Sequence, residues 1–196
     1  MNKYSPRRRR PLVKPGRIVY NEIDLDWGIT MKTVIEAIIE IPMGTQNKYE
    51  VDKKRNRIKL NRVMYSKMTY PAEYGFIEET LADDGDPLDI LVLATTHTFP
   101  GCIVDARVVG YLDMWDGGQH DEKIIAVVDA DPRFDHIEDL RDIQDLQLRE
   151  IKLFFRTYKE LLPGHDVVVK DYYDKEHAVA LLDKYEIAYR EAKKRH

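Results

Sequence analysis

In the last third of the chain the apolar pattern changes period, and that change bounds the fold. Before it come short strand-like runs: Thr33–Ile41, the alternating pair Lys48–Val51 and Ile58–Leu60, Tyr74–Ile77, Leu88–Leu93, Ile103–Leu112 and Lys123–Val128. Alternation places every second side chain on one face of a strand. Turn-forming residues separate the runs at Pro42-Met43-Gly44, Asp52–Asn56, Asp84-Gly85, Pro100-Gly101 and Gly117-Gly118. Afterwards Leu148, Ile151, Phe155, Tyr158 and Leu162 recur at helical spacing, with Asp145 as N-cap and Pro163-Gly164 as stop. A second helix reads through Ala178, Leu181, Tyr185, Ala188 and Ala192, with Lys193, Lys194 and Arg195 in the last turn, where the helix dipole favours cations. The expectation is an α+β fold in which a small β-barrel is followed by covering helices.

Size and composition narrow the class. The chain has 196 residues with 43% apolar and 34% charged residues, a globular balance that excludes a mainly disordered chain. This length suits one domain, taken as residues 31–196, preceded by a basic arm over residues 1–30 that carries Arg7 to Arg10. The arm is read as solvated and is given no chemistry. No apolar run approaches the ~18 residues of a membrane span, and no secretory core marks the N-terminus, so the expected location is cytoplasmic. A single cysteine, Cys102, excludes an internal disulfide framework and a multi-cysteine zinc site, and is expected to be a buried thiol.

The formal net charge of −4 conceals a sharp asymmetry. From Thr69 to Asp105 there is no Lys or Arg, while Glu73, Glu78, Glu79, Asp83, Asp84, Asp86, Asp89 and Asp105 are acidic. Asp84, Asp86 and Asp89 fall on a turn that enters an apolar strand, so their carboxylates can converge. Converging carboxylates repel unless a cation or proton intervenes, and an all-oxygen set suits Mg²⁺ first, then Mn²⁺ or Ca²⁺. Taken alone, Asp-Gly-Asp-Pro is equally an ordinary exposed turn. A second acidic turn, Asp116-Gly117-Gly118-Gln119-His120-Asp121, opens onto the strand Ile124–Val128 and could bring five carboxylates to one barrel end. His120 is expected to face solvent. Lys48 and Glu50 share a strand face, and with Arg62, Tyr70 and Tyr74 they add groups that a phosphate site needs, although each by itself suits a solvated strand or a barrel rim.

Together these residues resemble the soluble inorganic pyrophosphatases of family I, bacterial type. Asp84-Gly85-Asp86-Pro87-Leu88-Asp89-Ile90 fits that family's Asp-x-Asp-Pro-x-Asp signature. Ile39-Glu40-Ile41-Pro42, Lys48-Tyr49-Glu50-Val51-Asp52, Tyr70-Pro71-x-x-Tyr74-Gly75 and Phe154-Phe155-x-x-Tyr158-Lys159 occur in family order around it. The resemblance implies a five-stranded OB-like barrel flanked by helices, and hydrolysis of pyrophosphate to two orthophosphates, which drives biosynthetic reactions forward. It implies that Asp84, Asp89 and Asp121 hold activating Mg²⁺ (or Mn²⁺), with Asp116 joining Asp121 and Glu50 on substrate-associated ions. Asp86 would accept the proton of the attacking water, a step sometimes credited to Asp121. Lys48, Arg62, Tyr158 and Lys159 would grip phosphate, Tyr74 would touch substrate or water, and Glu40, Tyr70 and Lys123 would support the network. A homo-oligomer, a hexamer in the bacterial members, is implied as well.

Two departures stand out. Gly117 replaces a common glutamate, and Glu73 replaces a common asparagine and is expected to add negative charge near the site. Both are expected to tune metal affinity. Two rivals are a single-stranded nucleic-acid module on an OB-like barrel and a metal-dependent phosphohydrolase acting on a larger organic substrate. The first wants a basic groove with stacking aromatics. Here the tyrosines adjoin an acidic window, so neither nucleic acid nor membrane is an expected partner.

Overall fold

The computed structural model describes residues 33–52, 54–55, 57–162, 164 and 166–195. The arm with Arg7 to Arg10 lies outside the described residues. The first strand, β1 (Val34–Ile41), is strictly alternating: Ile35, Ala37, Ile39 and Ile41 are buried and the residues between them are half-buried. It pairs antiparallel with β4 (Glu73–Phe76) on one side and with β6 (Ile103–Asp116) on the other. From β4 the pairing passes antiparallel to β5 (Asp89–Leu93), parallel to β8 (Lys123–Val128), and antiparallel back to β6. The five strands therefore form a closed ring of pairings, and the molecule is α+β.

The parallel β5–β8 pair explains why those two runs are apolar throughout. A strand covered on both faces shows no alternation, and Ile90 to Leu93 and Ile124 to Val127 are all buried. Their side chains divide by parity between two cores. Leu91, Leu93 and Ile125 join one with Ile41, Tyr74 and the helix α1 (Asp145–Thr157), through Ile151, Phe154 and Phe155. Ile90, Val92 and Ile124 join the other with α2 (Lys175–Lys194), through Ala178, Leu182 and Tyr185.

The polar alternation at Lys48–Leu60 forms the expected hairpin, β2 (Asn47–Asp52) with β3 (Arg57–Val63), in a sheet of its own. The two-residue β7 (Gln119–His120) folds back on the end of β6. Gly117 and Gly118 make that turn at φ 57° and 85°, the left-handed conformations that a two-residue hairpin loop requires.

The structure corrects the reading of the last third. Between the helices lies a strand, β9 (Val167–Asp174), which pairs along the second half of β6. Val-Val-Val-Lys-Asp-Tyr-Tyr alternates only half-buried with exposed positions, so it carries little apolar signal of its own. Helix α1 stops at Thr157 rather than running on to Leu162, and Leu161 is exposed, so the apolar seam ends with the helix. Asp145 is the first helical residue and not the cap; it pairs with Arg149 one turn on, at 2.9 Å. Cys102 is half-buried, because it sits in the Pro100-Gly101 turn beside the exposed Ile103.

Candidate active site

Each wall of the site follows from a local rule. The acidic turn is shaped by its own polar atoms: Asp84 Oδ1 accepts from the Asp86 amide at 3.0 Å, and the Ala82 amide donates to the Asp86 carbonyl at 2.8 Å. Gly85 takes φ 89°, which a residue with a Cβ resists. Thr80 Oγ1 accepts from the Leu88 amide at 2.8 Å and donates to the Ile77 carbonyl at 2.6 Å, so the turn enters β5 in a set direction. The parallel register then places Asp89 beside Lys123, and Asp121 lies two residues upstream of Lys123. Lys123 donates to both carboxylates from a fully buried position, and Tyr74 on β4 donates to the same Asp89 oxygen.

The other walls come from the hairpin and from the end of α1. Lys48 and Glu50 share a face of β2, with Nζ and Oε1 3.8 Å apart, and Arg62 on β3 pairs with Lys48 in register. Tyr158 caps α1, stacking on Phe154 at 5.4 Å, and Lys159 just beyond it donates to Asp116 at the end of β6. Tyr70 bridges the rings of Tyr74 and Phe154 at 5.3 and 4.8 Å.

These elements enclose a cleft of about 470 Å³. Its lining includes Glu40, Lys48, Glu50, Arg62, Tyr70, Tyr74, Asp84, Asp86, Asp89, Asp116, Asp121, Lys123, Tyr158 and Lys159, every residue to which the family resemblance assigns a role. Phe76, Pro87 and Phe155, none of them given a site role from the sequence, also line it. Phe76 follows Tyr74 at strand period two, and that spacing was the available signal. Glu73 does not line the cleft: it is wholly buried and accepts from the Met43 amide and from both the amide and the hydroxyl of Thr98, at 3.2, 2.9 and 2.6 Å. On β4 it points opposite to Tyr74, so its carboxyl group fastens loops and adds nothing to the cleft wall. His120 is half-buried against the Trp115 ring, with its Nδ1 2.9 Å from Glu122 Oε1.

The electrostatics call for cations. Seven carboxylates in the lining face four cationic side chains. Burial raises the Asp121 pKa, against the pull of Lys123. Burial alone would depress Lys123, but Asp89 and Asp121 outweigh it and hold the ammonium above its ordinary value. Burial lifts Glu40 to about 7, with Lys48 opposing, and lifts Tyr70 to about 12. Tyr74 and Tyr158 are raised further by burial and the neighbouring acids, so all three are hydroxyl donors at neutral pH.

Among the described residues no three carboxylate, imidazole or thiolate groups already form a finished ligand set. Instead ammonium groups sit among the acids, Lys123 between Asp89 and Asp121 and Lys159 on Asp116. An all-carboxylate donor set that already gathers cations fits hard divalent ions.

Comparison with known proteins agrees with this geometry. The inorganic pyrophosphatase family matches residues 37–190. The inorganic pyrophosphatase of Halalkalibacterium halodurans is 56% identical over 150 residues, covering 76% of this chain and 91% of its own. That of Geobacillus stearothermophilus is 51% identical over 160 residues, covering 82% and 96%. The crystal structure of inorganic pyrophosphatase from Thermus thermophilus superposes with a TM-score of 0.78 at 44% identity, covering 80% of this chain and 91% of that one. With a match spanning both the ring of strands and the cleft, the chain belongs to the inorganic pyrophosphatase family.

Proposed function

We propose that this chain hydrolyses inorganic pyrophosphate to two orthophosphates with Mg²⁺ as activating ion, Mn²⁺ being an alternative. The observation that carries the reading is the cleft itself, where an excess of carboxylates shares the lining with Lys48, Arg62 and Lys159. Asp84, Asp89, Asp116, Asp121 and Glu50 would hold the ions. Bound Mg²⁺ would supply charge neutralisation of the polyanionic substrate and acidity to water.

The chain's own residues do the rest. Lys48 and Lys159 act as point charges on phosphate oxygens, Arg62 as a two-pronged donor, and Tyr158 as a neutral one. As the water oxygen bonds to phosphorus, the bridging P–O bond breaks and its electron pair leaves on the second phosphate, whose charge these groups stabilise. Asp86 takes the proton from water; Asp121, tied to Lys123, is the alternative base. Tyr74 orients Asp89, while Glu40, Tyr70 and Lys123 hold the network.

The same reading includes an OB-like description of the strand ring, a single catalytic domain over residues 31–196, a cytoplasmic location, and assembly as a homo-oligomer, a hexamer. The ring of five strand pairings supports the first of these; among the described residues no helix is long and apolar enough to cross a membrane. A nucleic-acid module is disfavoured by the sign of the cleft wall.

The test is phosphate release from pyrophosphate with Mg²⁺ and then with excess chelator. Two phosphates per pyrophosphate, lost on chelation, are expected. Asp86→Asn should lower turnover by ~10²–10⁴ with little change in metal requirement. Equal turnover of nucleoside triphosphates would move the reading to an organic substrate, and no release with either metal would overturn it.

A further inference from the structure

Outside the cleft lining, a second polar cluster joins the two acid-bearing segments. Tyr185 on α2 is buried, and its hydroxyl lies 3.0 Å from Glu122 Oε2 and 3.2 Å from Asp83 Oδ2. Glu122 stands between Asp121 and Lys123, and Asp83 immediately precedes Asp84. On an extended segment neighbouring side chains point to opposite faces. As Asp121 and Lys123 enter the cleft, Glu122 is therefore the handle on its outer side. That handle is held at both ends, because its other oxygen lies 2.9 Å from His120 Nδ1.

The same tyrosine holds the other segment twice. Its carbonyl accepts from the Leu81 amide at 3.0 Å, and Lys184 beside it donates to Asp83 Oδ2 and to the Tyr185 hydroxyl, each at 3.2 Å. One phenol thus ties the turn leading into Asp84 to the strand start that carries Asp121 and Lys123. Burial and the two acids keep the phenol protonated, so it remains a donor throughout the working range.

We infer that Tyr185 is a positioning residue: by clamping Asp83 and Glu122 from α2, it sets the distance between the Asp84 and Asp121 carboxylates and so the affinity of the cleft for divalent cations. This rests on the metal-dependent reading proposed above. Tyr185 itself does not line the cleft. Removing its hydroxyl leaves the ring packed but frees the two segments to drift apart under carboxylate repulsion, a drift that saturating metal reverses.

The experiment is calorimetric titration of the full chain with Mg²⁺ in the absence of substrate. Tyr185→Phe should raise the Mg²⁺ dissociation constant by about tenfold, the factor that ~1.4 kcal/mol of binding represents. Its kcat at saturating Mg²⁺ should stay within about twofold while the half-activating Mg²⁺ concentration rises in step with the dissociation constant. Asp83→Ala, at a half-exposed side chain where folding is not at stake, should shift the dissociation constant in the same direction. Leu182→Val, buried on the same helix, should lower the melting temperature and leave Mg²⁺ affinity alone. Unchanged affinity in Tyr185→Phe and Asp83→Ala overturns the inference, as does an equal shift in Leu182→Val. Asp89→Ala separates the two levels: if it abolishes Mg²⁺ binding while Tyr185→Phe leaves the affinity unchanged, only the clamp fails. If Asp89→Ala binds Mg²⁺ normally, the metal site itself is misplaced.

Discussion

At the scale of single residues, the acids differ in what their surroundings do to them, and Glu40 is the clearest case. Burial raises it from its ordinary 4.5 to about 7, and Lys48 only partly offsets this. Between those two values the folded chain holds a proton that the unfolded chain has released. Stability therefore falls as pH rises through that window and is level above it. In chelator, urea unfolding at about pH 5 and about pH 8 should show wild type losing more stability than Glu40→Gln, whose amide carries no charge at either pH. Equal losses in the two proteins would show that Glu40 keeps an ordinary pKa. The charged lining was legible in the sequence because carboxylates on glycine-bearing turns and lysines at strand spacing carry their chemistry in their identity. Glu73 was misread for the converse reason. It neighbours Tyr74 in sequence, but strand parity sends it to the opposite face, where Thr98, distant in sequence, meets it. Gly117 too has a conformational reason to be glycine, since its φ of 57° makes the β6–β7 turn.

At the scale of elements, the site depends on how closely strands cross. At Gly75 β4 runs against β1 so tightly that a Cβ would overlap the Ile38 carbonyl oxygen, with Ile39 immediately behind it. Both obstacles are backbone, which cannot rotate away. Gly75→Ala should cost at least the upper end of the ~1–3 kcal/mol typical of over-packing, read as a lower urea midpoint. Because β4 delivers Tyr74 to Asp89, the folded fraction should also show a raised Mg²⁺ requirement. A midpoint within error of wild type would mean that β4 and β1 separate without loss. The seven early runs, the two of the hairpin among them, were readable because turn residues bound short apolar or alternating stretches there. The strand β9 was not, since its alternation lies at a half-covered edge and Leu162 happened to prolong the helical spacing of α1.

At the scale of the whole molecule, what brings the two acidic turns together is pairing between distant strands. No local signal states that β5 lies parallel to β8 or that β6 closes the ring onto β1, so the meeting of Asp89 with Asp121 could be anticipated only from the chemistry that needs it. The closed ring also makes metal binding a property of the folded state, because unfolding separates Asp84, Asp89, Asp116 and Asp121 along the chain. A ligand that binds only the folded form stabilises it by about 2.7 kcal/mol at a hundredfold excess over its dissociation constant. For a chain of this size each kcal/mol raises the melting temperature by about 2–4 °C, so saturating Mg²⁺ should raise it by roughly 5–11 °C over the chelated protein. The rise should grow with the logarithm of Mg²⁺ concentration, and Ca²⁺ should also produce it, since the oxygen donors accept either hard ion. Asp89→Ala should flatten the dependence, because it removes a carboxylate between Lys123 and Tyr74 that no neighbour replaces. Lys123→Met should make it steeper at low Mg²⁺, because the ammonium that competes for Asp89 and Asp121 is gone, while lowering the melting point in chelator, where those buried acids then lack a counter-ion. A melting temperature indifferent to Mg²⁺ in wild type would show that the folded cleft does not bind the ion, its carboxylates being served by the chain's own cationic side chains.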